Sequence, residues 1–176
     1  FYVKSSFYAI ANKRGLPILF DVTAWDHALV SVQNTFQPIL NQSPVLTRVL
    51  HGPSARKPRI KSMRFENQSQ LYVRAAFRYA DSARGISADI LLIDEYQDVA
   101  DGTLAVLQET LSHSKVGRTI LVGTPKLLEN QLEGAYSQST AHEWTLECPN
   151  CAAQVVLDER CLGAAGVVCP GWQTAL

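Results

Sequence analysis

The run Ile90-Leu91-Leu92-Ile93, followed at once by Asp94-Glu95, constrains this chain more than any other stretch. Four apolar residues, two of them β-branched, predict a strand buried on both faces as in parallel sheets, with the acids at its carboxyl end. In open α/β sheets that edge is where ligands bind. A side-by-side acid pair there suits a nucleotide site. One carboxylate holds Mg²⁺, usually through its waters, while its neighbour orients or deprotonates an attacking water. The competing reading makes the pair no more than an acidic first turn of the helix that follows.

The segments before this strand carry an α/β rhythm. Residues 1–13, with Phe1, Phe7, Ile10 and Ala11 on one side, predict a helix that Gly15 stops. Pro17 to Thr23 is a short apolar strand, and residues 24–40 predict a helix with Trp25, Leu29, Val32 and Phe36 at helical spacing. The strand that should open this βαβ pattern is missing, and so is a G-x-x-x-x-G-K-[ST] phosphate loop. Lys4-Ser5 does not substitute for it, because Val3 stands where a glycine would let backbone amides approach a phosphate. The loop is expected upstream of residue 1, and these 176 residues alone are expected to hydrolyse ATP only at background rate.

Ser43-Pro44 to Leu50 predicts a short helix. Arg59 to Phe65 and Leu71 to Phe77 predict a hairpin turning at Asn67-Gln68-Ser69. Charge matters here. Between Arg48 and Arg84 nine Lys or Arg face two acids, whereas from Gly85 onward four face twelve. Arg56, Lys57, Arg59, Lys61 and Arg64 form a basic stripe that would neutralise DNA phosphates, or else protect an exposed edge strand by charge. With 47% hydrophobic residues in 176, one main core plus a small appendage is expected. No apolar run approaches the ~18 residues of a membrane span, and no signal-peptide layout is present, so a cytoplasmic, non-membrane protein is expected.

Arg84-Gly85 lies ten residues before Asp94, in a loop expected to open toward the same sheet edge. Arg84 either reaches a nucleotide or pairs with Asp81 or Asp89. After the acids, a helix is expected from Gly102-Thr103 to about His113, then a buried strand over residues 116–122 ending Gly123-Thr124-Pro125-Lys126. Thr124 there would contact a γ-phosphate or the attacking water, or simply cap the next helix.

Arg84-Gly85, Asp94-Glu95, Val122-Gly123-Thr124-Pro125-Lys126, Asn130, Leu132-Glu133, Ser139-Thr140, Glu143-Trp144 and Cys148-Pro-Asn-Cys151 together resemble the large subunit of tailed-phage terminases. The resemblance covers roughly residues 15 to 151. It implies the ATPase portion of a DNA-packaging motor that drives double-stranded DNA into a procapsid. It further implies Asp94 on Mg²⁺, Glu95 activating water, Thr124 as the coupling residue and Arg84 as a trans-acting arginine finger. The implied partners are the terminase small subunit, the portal and a homo-oligomeric ring, in the host cytoplasm. The family's nuclease domain is not expected within these 176 residues. Asp94-Glu95-Tyr96-Gln97-Asp98 also resembles motif II of UvrD-like helicases, although those follow it with a strand ending Gly-Asp. A non-catalytic DNA- or partner-binding domain that keeps the fold is the third alternative.

All four cysteines lie in the tail. Cys148-Pro-Asn-Cys151 reads as a zinc knuckle, and Cys169-Pro170-Gly171 begins a second one whose last position is Trp172. Either Cys161 completes a structural four-cysteine zinc site, or the site has lost a ligand and is metal-free; disulfides are the alternative that a reducing compartment disfavours. The expected fold is α/β of P-loop NTPase type: a mostly parallel sheet with flanking helices, incomplete at its N-terminus. Residues 1–143 form the ATPase domain and 144–176 a Cys-rich, zinc-ribbon-like module.

Overall fold

The computed structural model describes residues 10, 15–22, 24–50, 59, 61–75, 80–124, 126, 130–163 and 166–171. Of the expected N-terminal helix only Ile10 falls among them, helical and buried; Lys4-Ser5 lies outside. The chain divides into two compact units, Phe1–Gly134 and Ala135–Leu176. No helix among the described residues is long and apolar enough to cross a membrane.

The larger unit is built on five strands: β1 (Pro17–Val22), β2 (Ser62–Arg64), β3 (Gln70–Ala75), β4 (Ile90–Ile93) and β5 (Arg118–Leu121), in the order β2-β3-β1-β4-β5. All neighbours are parallel except β2 and β3, which form the expected hairpin. That hairpin turns through Gln68 at φ 68°, and the Ser69 hydroxyl accepts the buried Leu16 N–H at 3.0 Å. β1 is central. Its alternate residues Ile18, Phe20 and Val22 join Leu71 and Val73 of β3 and Leu92 of β4 in one core face.

The covering helix presents Ala28, Val32, Phe36 and Leu40, four residues apart, to that face. It runs over 25–42 but is not uniform. Helical turns at Trp25–Ser31 and Gln37–Gln42 flank a π turn at Val32–Phe36, where the Gln37 N–H bonds the Val32 carbonyl five residues back. The cause is Pro38: it has no N–H for the Asn34 carbonyl and its ring crowds that turn, so the backbone widens rather than breaks. Pro44–Leu50 follows as a short helix.

Two expectations along the second half need correction. The helix after Gly102 spans Thr103–Gln108 and tightens to a 3-10 turn at Glu109–Leu111, short of His113. Strand β5 is half-exposed rather than buried, because among the described residues it is paired on one side only.

The Phe20 and Phe36 rings, both fully buried, meet at 5.3 Å between centroids, tilted by 53°. Phe20→Ala should therefore cost ~3–5 kcal/mol of the larger unit's stability in urea unfolding. A loss below ~1 kcal/mol would mean the sheet and helix are held elsewhere.

Candidate functional site

The parallel register sets Asp21, Ile93 and Leu121 side by side, one residue before the carboxyl edge. Pairing continues past β4: the Asp94 N–H donates to the Asp21 carbonyl at 3.0 Å, and the Tyr96 N–H to the Val122 carbonyl at 3.0 Å. Asp94 and Glu95 are thus fixed at the edge from both sides, each half-buried. Between them the backbone turns sharply. Glu95 sits in the left-handed region at φ 54°, ψ 44°, and its N–H donates to Asp94 Oδ1 at 3.1 Å. A non-glycine residue there costs of order 1 kcal/mol, and such strain collects at functional sites. The Glu95 carboxylate does not cap the turn Tyr96–Asp98 that follows it.

It is held by Gln97 instead. Gln97 Nε2 donates to Glu95 Oε2, while Gln97 Oε1 accepts the Thr124 N–H at 3.1 Å. The amide orientation is dictated by its partners, since a carboxylate only accepts and a backbone N–H only donates. Gly123 makes room: a Cβ there would stand 2.0 Å from Gln97 Oε1. A second link joins the same two loops, with Lys126 Nζ 2.6 Å from Asp98 Oδ2. Burial, helped by Asp101, pushes the Tyr96 phenol above its ordinary range.

Two residues of this edge carried no weight in the sequence. Gln97 is one. Asp21, wholly buried beside β4, is the other; its signal was an acid inside the apolar run Ile-Leu-Phe-Asp-Val. Thr124 is exposed and does not cap the next described helix, Gln131–Ser137, where Asn130 Oδ1 accepts the Glu133 N–H at 2.9 Å.

Arg84 Nε meets Asp81 Oδ1 at 2.8 Å, and Asp89 accepts from the Ser114 hydroxyl instead. Arg84 also lines a cleft of about 440 Å³ with Ile86, Val106 and Glu109. Arg59, Lys61 and Arg64 are exposed along the β2 edge, and Arg56 and Lys57 lie outside the described residues. In the smaller unit the Sγ atoms of Cys148, Cys151 and Cys169 lie within 4.8 Å of one another. The Cys148 thiol is lowered from its ordinary range, chiefly by the Asn150 backbone N–H donating to it. Cys161 is not in this group; its thiol donates to the Val156 carbonyl at 3.3 Å.

Carboxylates are the hard oxygen donors Mg²⁺ takes, and thiolates the soft donors zinc takes, so each donor set fits the ion expected of it. In three dimensions the chain is similar to phage large terminases. The ATPase domain of the Thermus phage P74-26 large terminase matches at 16% identity and TM-score 0.60, over 87% of this chain and 64% of that one. The HK97 bacteriophage large terminase matches at 14% and 0.53, over 70% and 26%. The large terminase of a thermophilic bacteriophage matches at 11% and 0.50, over 69% and 29%. At these identities the likeness is one of fold, and the chain spans about a quarter of the HK97 protein's length. No curated protein matches the sequence. The profile of the phage terminase large subunit gpA, ATPase domain, matches residues 4–171, nearly the whole chain. The chain belongs to that family, the ATPase domain of the phage terminase large subunit gpA.

Proposed function

We propose that this chain is the ATPase portion of a motor that moves double-stranded DNA into a procapsid, with ATP and Mg²⁺ at the carboxyl edge of β4. The observation that carries the proposal is the acid pair fixed there by pairing to β1 and β5, with Glu95 tied through Gln97 to Thr124. Asp94 would hold Mg²⁺, which when bound neutralises charge on the transferring phosphoryl group. Glu95 orients and deprotonates the attacking water. Gln97 positions the Glu95 carboxylate, and because the same amide accepts from Thr124, movement of the loop after β5 changes where Glu95 points. Thr124 is in this way the coupling residue. A strand bearing a phosphate loop would find its pairing edge on the side of β5 that no described strand pairs, next to Thr124 and Glu95.

Residues 1–143 would form the ATPase domain and 144–176 an appended module. Arg59, Lys61 and Arg64, with Arg56 and Lys57, are the proposed DNA contacts, and the exposure of the first three supports this. The working assembly would be a ring in the host cytoplasm, with the small subunit and portal as partners. Arg84 would act across the ring, exchanging Asp81 for a neighbour's nucleotide. A surface pair as exposed as Arg84 with Asp81 costs little to break.

In the complete subunit, Glu95→Gln should abolish hydrolysis while nucleotide binding, read by a fluorescent ATP analogue, stays within about threefold of wild type. Loss of binding would make Glu95 structural. Gln97→Ala should lower kcat at least tenfold with little change in KM, because the carboxylate loses its orientation and not its charge. A rise in KM at constant kcat would contradict a positioning role. Arg84→Ala should lose about 10³-fold in turnover. Mixing it with Glu95→Gln subunits should restore activity where an intact Arg84 faces an intact Glu95. No rescue at any ratio would confine Arg84 to its own subunit.

A further inference from the structure

Among its described residues the smaller unit, Ala135–Leu176, buries little apolar surface besides Val155 and Val168. Its buried cluster is Cys148, Val155, Cys161 and Cys169, with Cys151 packed against it. Over the same stretch Trp144 is 92% exposed, Leu162 75% and Leu157 54%. The strands are minimal: β6 (Thr145–Glu147) with β7 (Gln154–Val156), and β8 (Leu162–Gly163) with β9 (Gly166–Val167). A unit of roughly 40 residues ordinarily needs disulfides or a metal to hold such an arrangement. Disulfides do not supply it, because all four cysteines are free.

The sulfur geometry supplies the alternative. Cys151 Sγ and Cys169 Sγ stand 3.8 Å apart. A disulfide needs ~2.05 Å. Two thiolates on one tetrahedral ion, each ~2.3 Å from zinc, stand ~3.8 Å apart. The backbone presents Cys148 and Cys151 in a built turn between β6 and β7, and Cys169 follows β9. In that turn the Ala152 N–H bonds the Cys148 carbonyl at 2.8 Å, the Cys148 N–H bonds the Ala153 carbonyl at 2.9 Å, and Ala152 takes a left-handed φ of 56°.

We infer that Cys148, Cys151 and Cys169 bind one zinc ion as three thiolates, that its fourth position is filled from solvent, and that Cys161 is a core thiol and not a ligand. This inference stands apart from the ATPase proposal and does not depend on it. Three observations place Cys161 outside the shell. Its Sγ lies beyond the group whose sulfurs are mutually within 4.8 Å, its thiol donates to Val156, and its carbonyl accepts the Val168 N–H at 2.8 Å, which joins it to the segment leading to Cys169. Position 172, where a second Cys-x-x-Cys would place its last ligand, is tryptophan. Solvent reaches the cluster at Cys151, which is half-buried where Cys148 and Cys169 are each 1% exposed. The role is structural: the ion ties together a unit whose described residues bury only a small apolar cluster.

The test uses the whole chain, purified under reducing conditions, with metal content measured by mass spectrometry. Wild type and Cys161→Ser should each carry about one equivalent of zinc, and Cys148→Ser, Cys151→Ser and Cys169→Ser should lose it. Zinc lost in Cys161→Ser, or a metal-free wild type whose amides in 135–176 remain protected from exchange, would overturn the inference. A second measurement covers the case in which Cys161→Ser fails to fold. In wild type loaded with Co²⁺, added imidazole should shift the visible d–d bands as it enters the open fourth position. An unchanged spectrum would mean a closed four-thiolate shell that includes Cys161.

Discussion

Parallel pairing of β4 between β1 and β5 fixes everything else at the candidate site. Because side chains alternate faces along a strand, a one-residue slip would exchange the buried faces taken by Leu91 and Ile93 with that of Leu92 and move both acids. Burial of Leu91 and Ile93, with Leu19 of β1, makes that slip costly. The register therefore does two jobs. It closes the core, and it delivers Asp94, Glu95 and the Gly123-Thr124 turn to one edge, with Asp21 buried beside them.

At that edge the magnitudes separate what connects the loops from what merely lies between them. The Lys126–Asp98 pair is partly exposed, and such pairs contribute about 0–1 kcal/mol. Hydrogen bonds to a charged group contribute ~1.5–3 kcal/mol. The stronger tie is the Gln97 amide, half-buried between Glu95 and Thr124. It also explains Gly123, where any side chain would collide with Gln97. The left-handed turn at Glu95 is held by ladder bonds on either side of it, so the strain stays local.

Legibility in the sequence followed the length of the signal. The apolar runs at Pro17–Val22 and Ile90–Ile93 and the helical stripe through Val32 and Phe36 were readable because burial writes a period into the residues. Pro38 was visible, but whether it ends a helix or widens one depends on the packing of Phe36 and Leu40 around it. Strand β5 read as buried because Ile120, Leu121 and Val122 are apolar; its pairing on one side only among the described residues is a matter of topology, which periodicity does not encode. Gln97 stood in the quoted run Asp94 to Asp98, but its positioning role left no trace, since its partners are one residue two positions away and another 27 positions on. The cysteines gave ligand types and spacings but could not rank Cys161 against the others. The distinction lies in where one thiol points.

The central claim is that the metal and the water attack belong to the edge after β4. Replacing Mg²⁺ by Fe²⁺ in the nucleotide-bound complete subunit, and initiating hydroxyl-radical cleavage with ascorbate and peroxide, maps the backbone nearest the ion. The account predicts cuts flanking Asp94-Glu95 and a second cluster near Thr124, both suppressed by excess Mg²⁺. Cleavage confined to the Arg84 cleft or to the segment around Asp101, with residues 93–96 intact, would contradict it.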